Sequence, residues 1–126
     1  MSNVDQEIAG IRASLDHLQA RVTRYREHLF EMTMGRTPST TQDEVAVAKG
    51  EVETVEALIR ALARRVIGGD PPSEQWEPMQ PYCSRNEAKQ GDWADQNYDY
   101  FQWALHWIQK SRVFLEYLRG VAAAGS

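Results

Sequence analysis

VDQEIAGIRASLDHLQARVTRYREHLFEM, residues 4–32, decides the fold. In one heptad frame every seam position in it is apolar: Val4, Ile8, Ile11, Leu15, Leu18, Val22, Tyr25, Leu29 and Met32, spaced alternately by four and three. In a chain that is 42% apolar, such a run would arise by chance roughly four times in ten thousand. A 3.5-residue repeat gathers these side chains on one narrow stripe, the form in which a helix packs lengthwise against another. The pattern predicts a helix over 3–33. Ser2 or Asn3 caps it, Asp5 and Glu7 face the positive end of its dipole, and Gly35 and Pro38 end it.

Working outward, Gly35 to Thr40 reads as a turn, and Thr41 with Glu44 forms a capping-box pattern that opens a second helix, 41–67. Its seam is Val45, Ala48, Val52, Val55, Ile59, Leu62 and Val66, and Gly68-Gly69 followed by Pro71-Pro72 stops it. A turn this short cannot carry the chain back along a helix of roughly 40 Å, so the two helices are expected to run antiparallel. That places the acidic start of the first helix (Asp5, Glu7) near the basic end of the second (Arg60, Arg64, Arg65). The arginines read as this structural device in preference to a phosphate site, and they also suit the negative end of the helix dipole.

Residues 68–91 change character: Pro71, Pro72, Pro78 and Pro81 stand among Trp76, Met79 and Tyr82. Solvated linkers rarely carry Trp, so this is expected to be an ordered strap over the bundle, with a proline-presented recognition loop as the sharper alternative. Ser84 and Glu87 suggest a short helical turn within it. A third helix is expected over 92–120. On a helical wheel its apolar arc runs from Trp103 through Trp107, Tyr100, Leu118, Ala104, Leu115 and Ile108 to Leu105, about 200°, far wider than the stripe of an ordinary surface helix.

The fold class predicted is all-α: an antiparallel three-helix bundle with coiled-coil-like heptad seams and a long Pro/aromatic strap between helices two and three. All 126 residues form one helical-bundle domain in this reading. The plan resembles spectrin-like repeats and small viral or bacterial assembly proteins in architecture alone, and no residue role carries over from that likeness.

Composition and spacing speak against most chemistries. A net charge of −4 argues against a mainly electrostatic grip on nucleic acid, while leaving room for a local basic patch. The single Cys83 cannot staple the fold. The uncharged aromatic stretch 100–109 is about half a membrane span, and a basic polar face for membrane-surface binding is missing, so a soluble cytoplasmic protein is expected. His17, His28 and His106 lack the Glu-x-x-His pattern of di-metal bundles, and His17 and His28 lie about 16 Å apart along their helix. The glycines form no phosphate-cradling loop. Asp92, Asp95 and Asp99 are explained in large part by helix-start preference. No catalytic residue, cofactor or metal is therefore assigned.

What remains is interaction. Aromatic residues at helical spacing are usually core, yet Trp, Tyr and Phe also anchor protein interfaces. The reading favoured is a non-enzymatic interaction or assembly module: a structural subunit, an adaptor, or a small inhibitor or immunity-type protein. Trp76, Tyr82, Phe101, Trp103, Leu105, Ile108 and Tyr117 are its candidate partner-binding residues. The partner is a protein, self or foreign, with a homo-oligomer preferred because one edge of the 200° arc lacks an assured neighbour. That edge is either Trp103 with Tyr117 or Phe101 with Leu105 and Ile108. The alternative is a bundle that holds an apolar or aromatic small ligand beside helix three. An enzyme using Cys83 or the acidic start of helix three comes last.

Overall fold

A computed structural model describes residues 3–36, 40–79 and 93–125. It is a helical bundle of α1 (Asn3–Thr33), α2 (Gln42–Ile67) and α3 (Trp93–Ala124), each packed against the other two, and no strand occurs among the described residues.

The α1 seam is buried from Ile8 through Leu29, while its end members Val4 and Met32 are partly covered where neighbours thin out. Gly35, at φ 80°, closes the helix: its amide donates to the Met32 carbonyl at 3.1 Å, and the Arg36 amide donates to the Glu31 carbonyl at 3.0 Å. Those two bonds satisfy carbonyls that a helix end otherwise leaves orphaned, and the left-handed backbone between them suits glycine.

Thr41 caps α2 in a complete capping box. The Glu44 amide donates to Thr41 Oγ1 at 3.2 Å, and the Thr41 amide donates to Glu44 Oε1 at 3.1 Å. The same backbone donor holds the Glu44 carboxyl below its usual range. Val45 through Leu62 of the second seam are buried and Val66 is partly so. Gly68, at φ 77°, ends the helix with its amide on the Arg64 carbonyl.

The third helix overruns the expected stop at Gly120 and continues to Ala124. A glycine ends a helix by taking a left-handed φ, and only Gly35 and Gly68 do so among the described residues. Gly120 instead sits inside the helix, where the Val121-Ala-Ala-Ala run that follows carries the backbone on. The buried positions Ala94, Asn97, Phe101, Ala104, Ile108, Ser111, Leu115 and Leu118 alternate by three and four, with Tyr100, Trp107 and Phe114 buried beside them. The third helix therefore has a seam of its own, interrupted by two polar residues.

Ion pairs link the ends of the helices. Arg65 near the end of α2 clamps Glu7 near the start of α1 with two hydrogen bonds, one of 2.7 Å, and Arg21 of α1 pairs with Glu51 of α2. Asp5 goes to Arg119 of α3 at 3.5 Å, and Arg64 turns to Asp70 just beyond its own helix at 2.9 Å. The expected acidic–basic meeting thus involves Glu7 with Arg65, while Asp5 and Arg64 pair elsewhere. Among the described residues no helix is long and apolar enough to cross a membrane.

Two outcomes follow. Leu18→Ala or Ile59→Ala, both at fully buried seam positions, should each cost about 2–5 kcal/mol in urea unfolding, and a loss below about 1 kcal/mol for both would contradict these seams. The Arg65 hydrogen bonds hold the Glu7 carboxyl below its ordinary range. A depressed folded pKa gives stability that is present above the unfolded value and is lost as pH falls through the folded one. Glu7→Gln should therefore destabilise slightly at neutral pH, far less than the core substitutions, with the gap from the native chain closing as pH is lowered to about 3. A gap unchanged by acid would assign Glu7 a packing role.

Candidate interaction surface

Past Gly68 the chain turns back onto the helices. The Gln75 and Trp76 amides both donate to the Pro72 carbonyl, a single turn that projects the Trp76 indole inward. Trp76 is 2% exposed. Its Nε1–H donates to Ser111 Oγ at 2.9 Å, its ring stacks on Phe114 (5.7 Å, 12°), and Trp107 lies 6.2 Å away. Trp107 Nε1 in turn donates to the Glu77 carbonyl, and the Met79 amide donates to Glu56 of α2. A buried indole satisfied in this way contributes both area and a hydrogen bond, which fixes residues 72–79 against α2 and α3.

That placement sorts the candidate residues. Trp76, Phe101 and Ile108 are core residues, with Phe101 packed 6.2 Å from Tyr25 of α1, so none of the three offers surface to a partner. The wheel shows which residues share an arc but not which of its edges α1 and the turn at 72–76 will cover. Leu105 is half-buried against the core. Trp103 and Tyr117 remain 46% and 44% exposed. Tyr82 lies outside the described residues, as do Cys83, Asp92 and the Ser84–Glu87 pattern.

Two contributors went unremarked in the sequence. Ser111 is fully buried at a seam position and accepts the hydrogen bond of the indole N–H. Val113 is 72% exposed and falls between Trp103 and Tyr117 on one outward stripe. The signal for Val113 is register: Trp103, His106, Lys110, Val113, Tyr117 and Gly120 alternate by three and four, a second heptad stripe pointing away from the first. Tyr117 stacks on Phe114 (6.0 Å, 17°), so the sequence Trp76, Phe114, Tyr117 forms a stacked series from core to surface. The Trp103 ring lies 5.8 Å from His106.

Charges border this stripe on its α1 side: Arg112 bonds Asp16 and Gln19, and Arg12 bonds Glu116. On the other side an open recess of about 360 Å³ separates Ser73–Glu77 from Gln109, Lys110 and Val113. Elsewhere, His28 Nδ1 shares a hydrogen bond with the buried Thr40 Oγ1, and His17 lines a shallow groove between α1 and α2. His17, His28 and His106 thus occupy three separate places. Among the described residues no three acidic, His or Cys side chains gather as a metal would require.

Compared with protein-family models, with curated proteins and with solved structures, the chain returns no significant match.

The indole contact can be tested directly. Trp76→Ala should cost about 3–5 kcal/mol and Ser111→Ala, which leaves the buried N–H unsatisfied, about 1–3 kcal/mol, measured by denaturant unfolding with near-ultraviolet circular dichroism following the aromatic cluster. A Ser111→Ala chain as stable as the native one would remove the hydrogen bond from this account.

Proposed function

We propose that this chain is a non-enzymatic protein–protein interaction or assembly module, and that the outward stripe of α3 is its binding surface. The observation that carries the reading is the exposure of Val113, Tyr117 and Trp103 on one helical stripe, with Tyr117 braced from beneath by Phe114. Bulky side chains on a rigid helix are the kind of anchor that dominates interfaces, because little conformational freedom is lost when they are covered.

The rest of the chain serves as scaffold. Its helices form an antiparallel bundle with coiled-coil-like seams in this reading, supported by the Glu7–Arg65 and Asp5–Arg119 pairs between opposite helix ends. Of the expected strap 68–91, the described residues 68–79 cover the other edge of α3 in this reading, supported by the burial of Trp76. Neither the recess beside Lys110 nor the α1–α2 groove combines apolar enclosure with converging polar groups, the combination a small-ligand site calls for.

A photo-crosslinking residue at position 113 tests the surface, with one at the exposed Glu53 of α2 as control. Position 113 should give a discrete adduct in extract of the native host or with the purified chain, and position 53 should give none. Absence of any adduct from position 113 would overturn the proposal.

A further inference from the structure

Of the arginines near the end of α2, Arg65 clamps Glu7 and Arg64 Nε donates to Asp70 Oδ1 at 2.9 Å. Arg60 does neither. It is half-buried, and it is the one arginine among the described residues that reaches neither an acceptor nor an aromatic ring. The helix dipole does not account for it, since that field is felt within the last turn and Arg60 stands two turns before Ile67. A guanidinium partly withdrawn from water and left without an acceptor loses hydration and gains nothing inside the chain.

Arg60 opens onto a recess of about 360 Å³ between α2 and the turn that follows it, lined also by Arg64, Asp70, Pro71, Trp76 and Pro78. Two guanidiniums against one carboxylate leave an uncompensated positive charge here, in a chain whose net charge is −4. Residues four apart on a helix lie side by side, so Arg60 and Arg64 act on the same space. Asp70 fixes Arg64 through Nε, which leaves its terminal nitrogens for another acceptor. The opposite wall is apolar and stiff, made of two proline rings and the rim of the buried Trp76. Charged donors converging opposite an apolar wall are what the recess beside Lys110 and the α1–α2 groove lack.

We infer that this recess binds a small organic phosphate monoester, its phosphate held between Arg60 and Arg64 and its organic group against Pro71, Pro78 and the Trp76 rim. A phosphate monoester presents three strong acceptor oxygens, enough to engage two guanidinium forks, whereas one fork satisfies a carboxylate. The volume is at the low end for small-molecule sites and suits a single ring or short chain beside the phosphate. Such a ligand touches both α2 and the segment that seats Trp76, so its binding favours the seated arrangement. Asp70 repels the bound dianion and limits how tightly it is held. The site lies apart from the outward stripe of α3 and does not depend on the role proposed for that surface.

Isothermal titration calorimetry of the full chain with phenyl phosphate, in phosphate-free buffer at fixed ionic strength, reads the site. Phenyl phosphate should bind with a Kd of about 0.1–1 mM, and inorganic phosphate and benzoate, each lacking one half of that ligand, about tenfold more weakly. At about ten times the Kd, phenyl phosphate should raise the thermal midpoint by about 3–8 °C, followed by circular dichroism. Arg60→Gln should weaken binding at least about tenfold and abolish that rise, while its own unfolding without ligand stays close to that of the native chain. Arg60→Lys keeps the charge but loses the fork, so its affinity should fall between the two. Asp70→Asn retains an acceptor for Arg64 and removes the repulsion, so it should tighten binding about threefold to tenfold. Any of four results would overturn the inference: no saturable binding of phenyl phosphate up to about 10 mM, benzoate binding as tightly as phenyl phosphate, Arg60→Gln binding as tightly as the native chain, or Asp70→Asn binding more weakly than it.

Discussion

Burial of the Trp76 indole is the contact on which the rest of this structure depends. Helix α3 carries apolar side chains around more of its circumference than α1 and α2 can cover, and uncovered apolar area works against folding at about 25 cal/mol per Å². A single turn at Pro72–Trp76 supplies the missing neighbour, and its indole both fills the space beside Phe114 and Trp107 and donates a hydrogen bond to Ser111. A phenylalanine there would fill space without the hydrogen bond. A solvated linker would do neither.

The seams of α1 and α2 were fully legible because their period is long, uninterrupted and apolar. The stops at Gly35 and Gly68 were legible because turn signals surround them. What misled was Gly120, since glycine alone does not end a helix unless the chain beyond it prefers to leave, and three alanines prefer to stay. Ser111 was hidden for a related reason. A polar residue in an apolar frame looks like a face boundary until its partner, distant in sequence, is known. The same limit applied to the edges of α3: a wheel ranks Phe101, Ile108, Trp103 and Tyr117 together, and only packing against Tyr25 and the turn at 72–76 separates the covered from the exposed.

The proposed interaction surface follows from that separation. Covering one edge of the arc with Trp76 leaves the opposite stripe, with Val113 at its centre, facing outward. Isolated exposed apolar residues need no explanation, but Trp103, Val113 and Tyr117 share one heptad register and form a continuous outward stripe.

The core and this surface are also mechanically joined. Tyr117 stacks on Phe114, and Phe114 stacks on Trp76, so the position of the exposed phenol is set by a residue far away in the chain on the other side of the helix. An aromatic anchored in this way loses little freedom when a partner covers it, because the packing beneath has already fixed its orientation. The constraint runs in both directions. Anything that lifts the 72–79 segment from α3 removes support from Phe114 and loosens the stripe, and anything that grips Tyr117 from outside favours the seated segment. Closure of the core and ordering of the outward stripe are in this sense one packing event, and the hydrogen bond from Trp76 to Ser111 lies where the two meet.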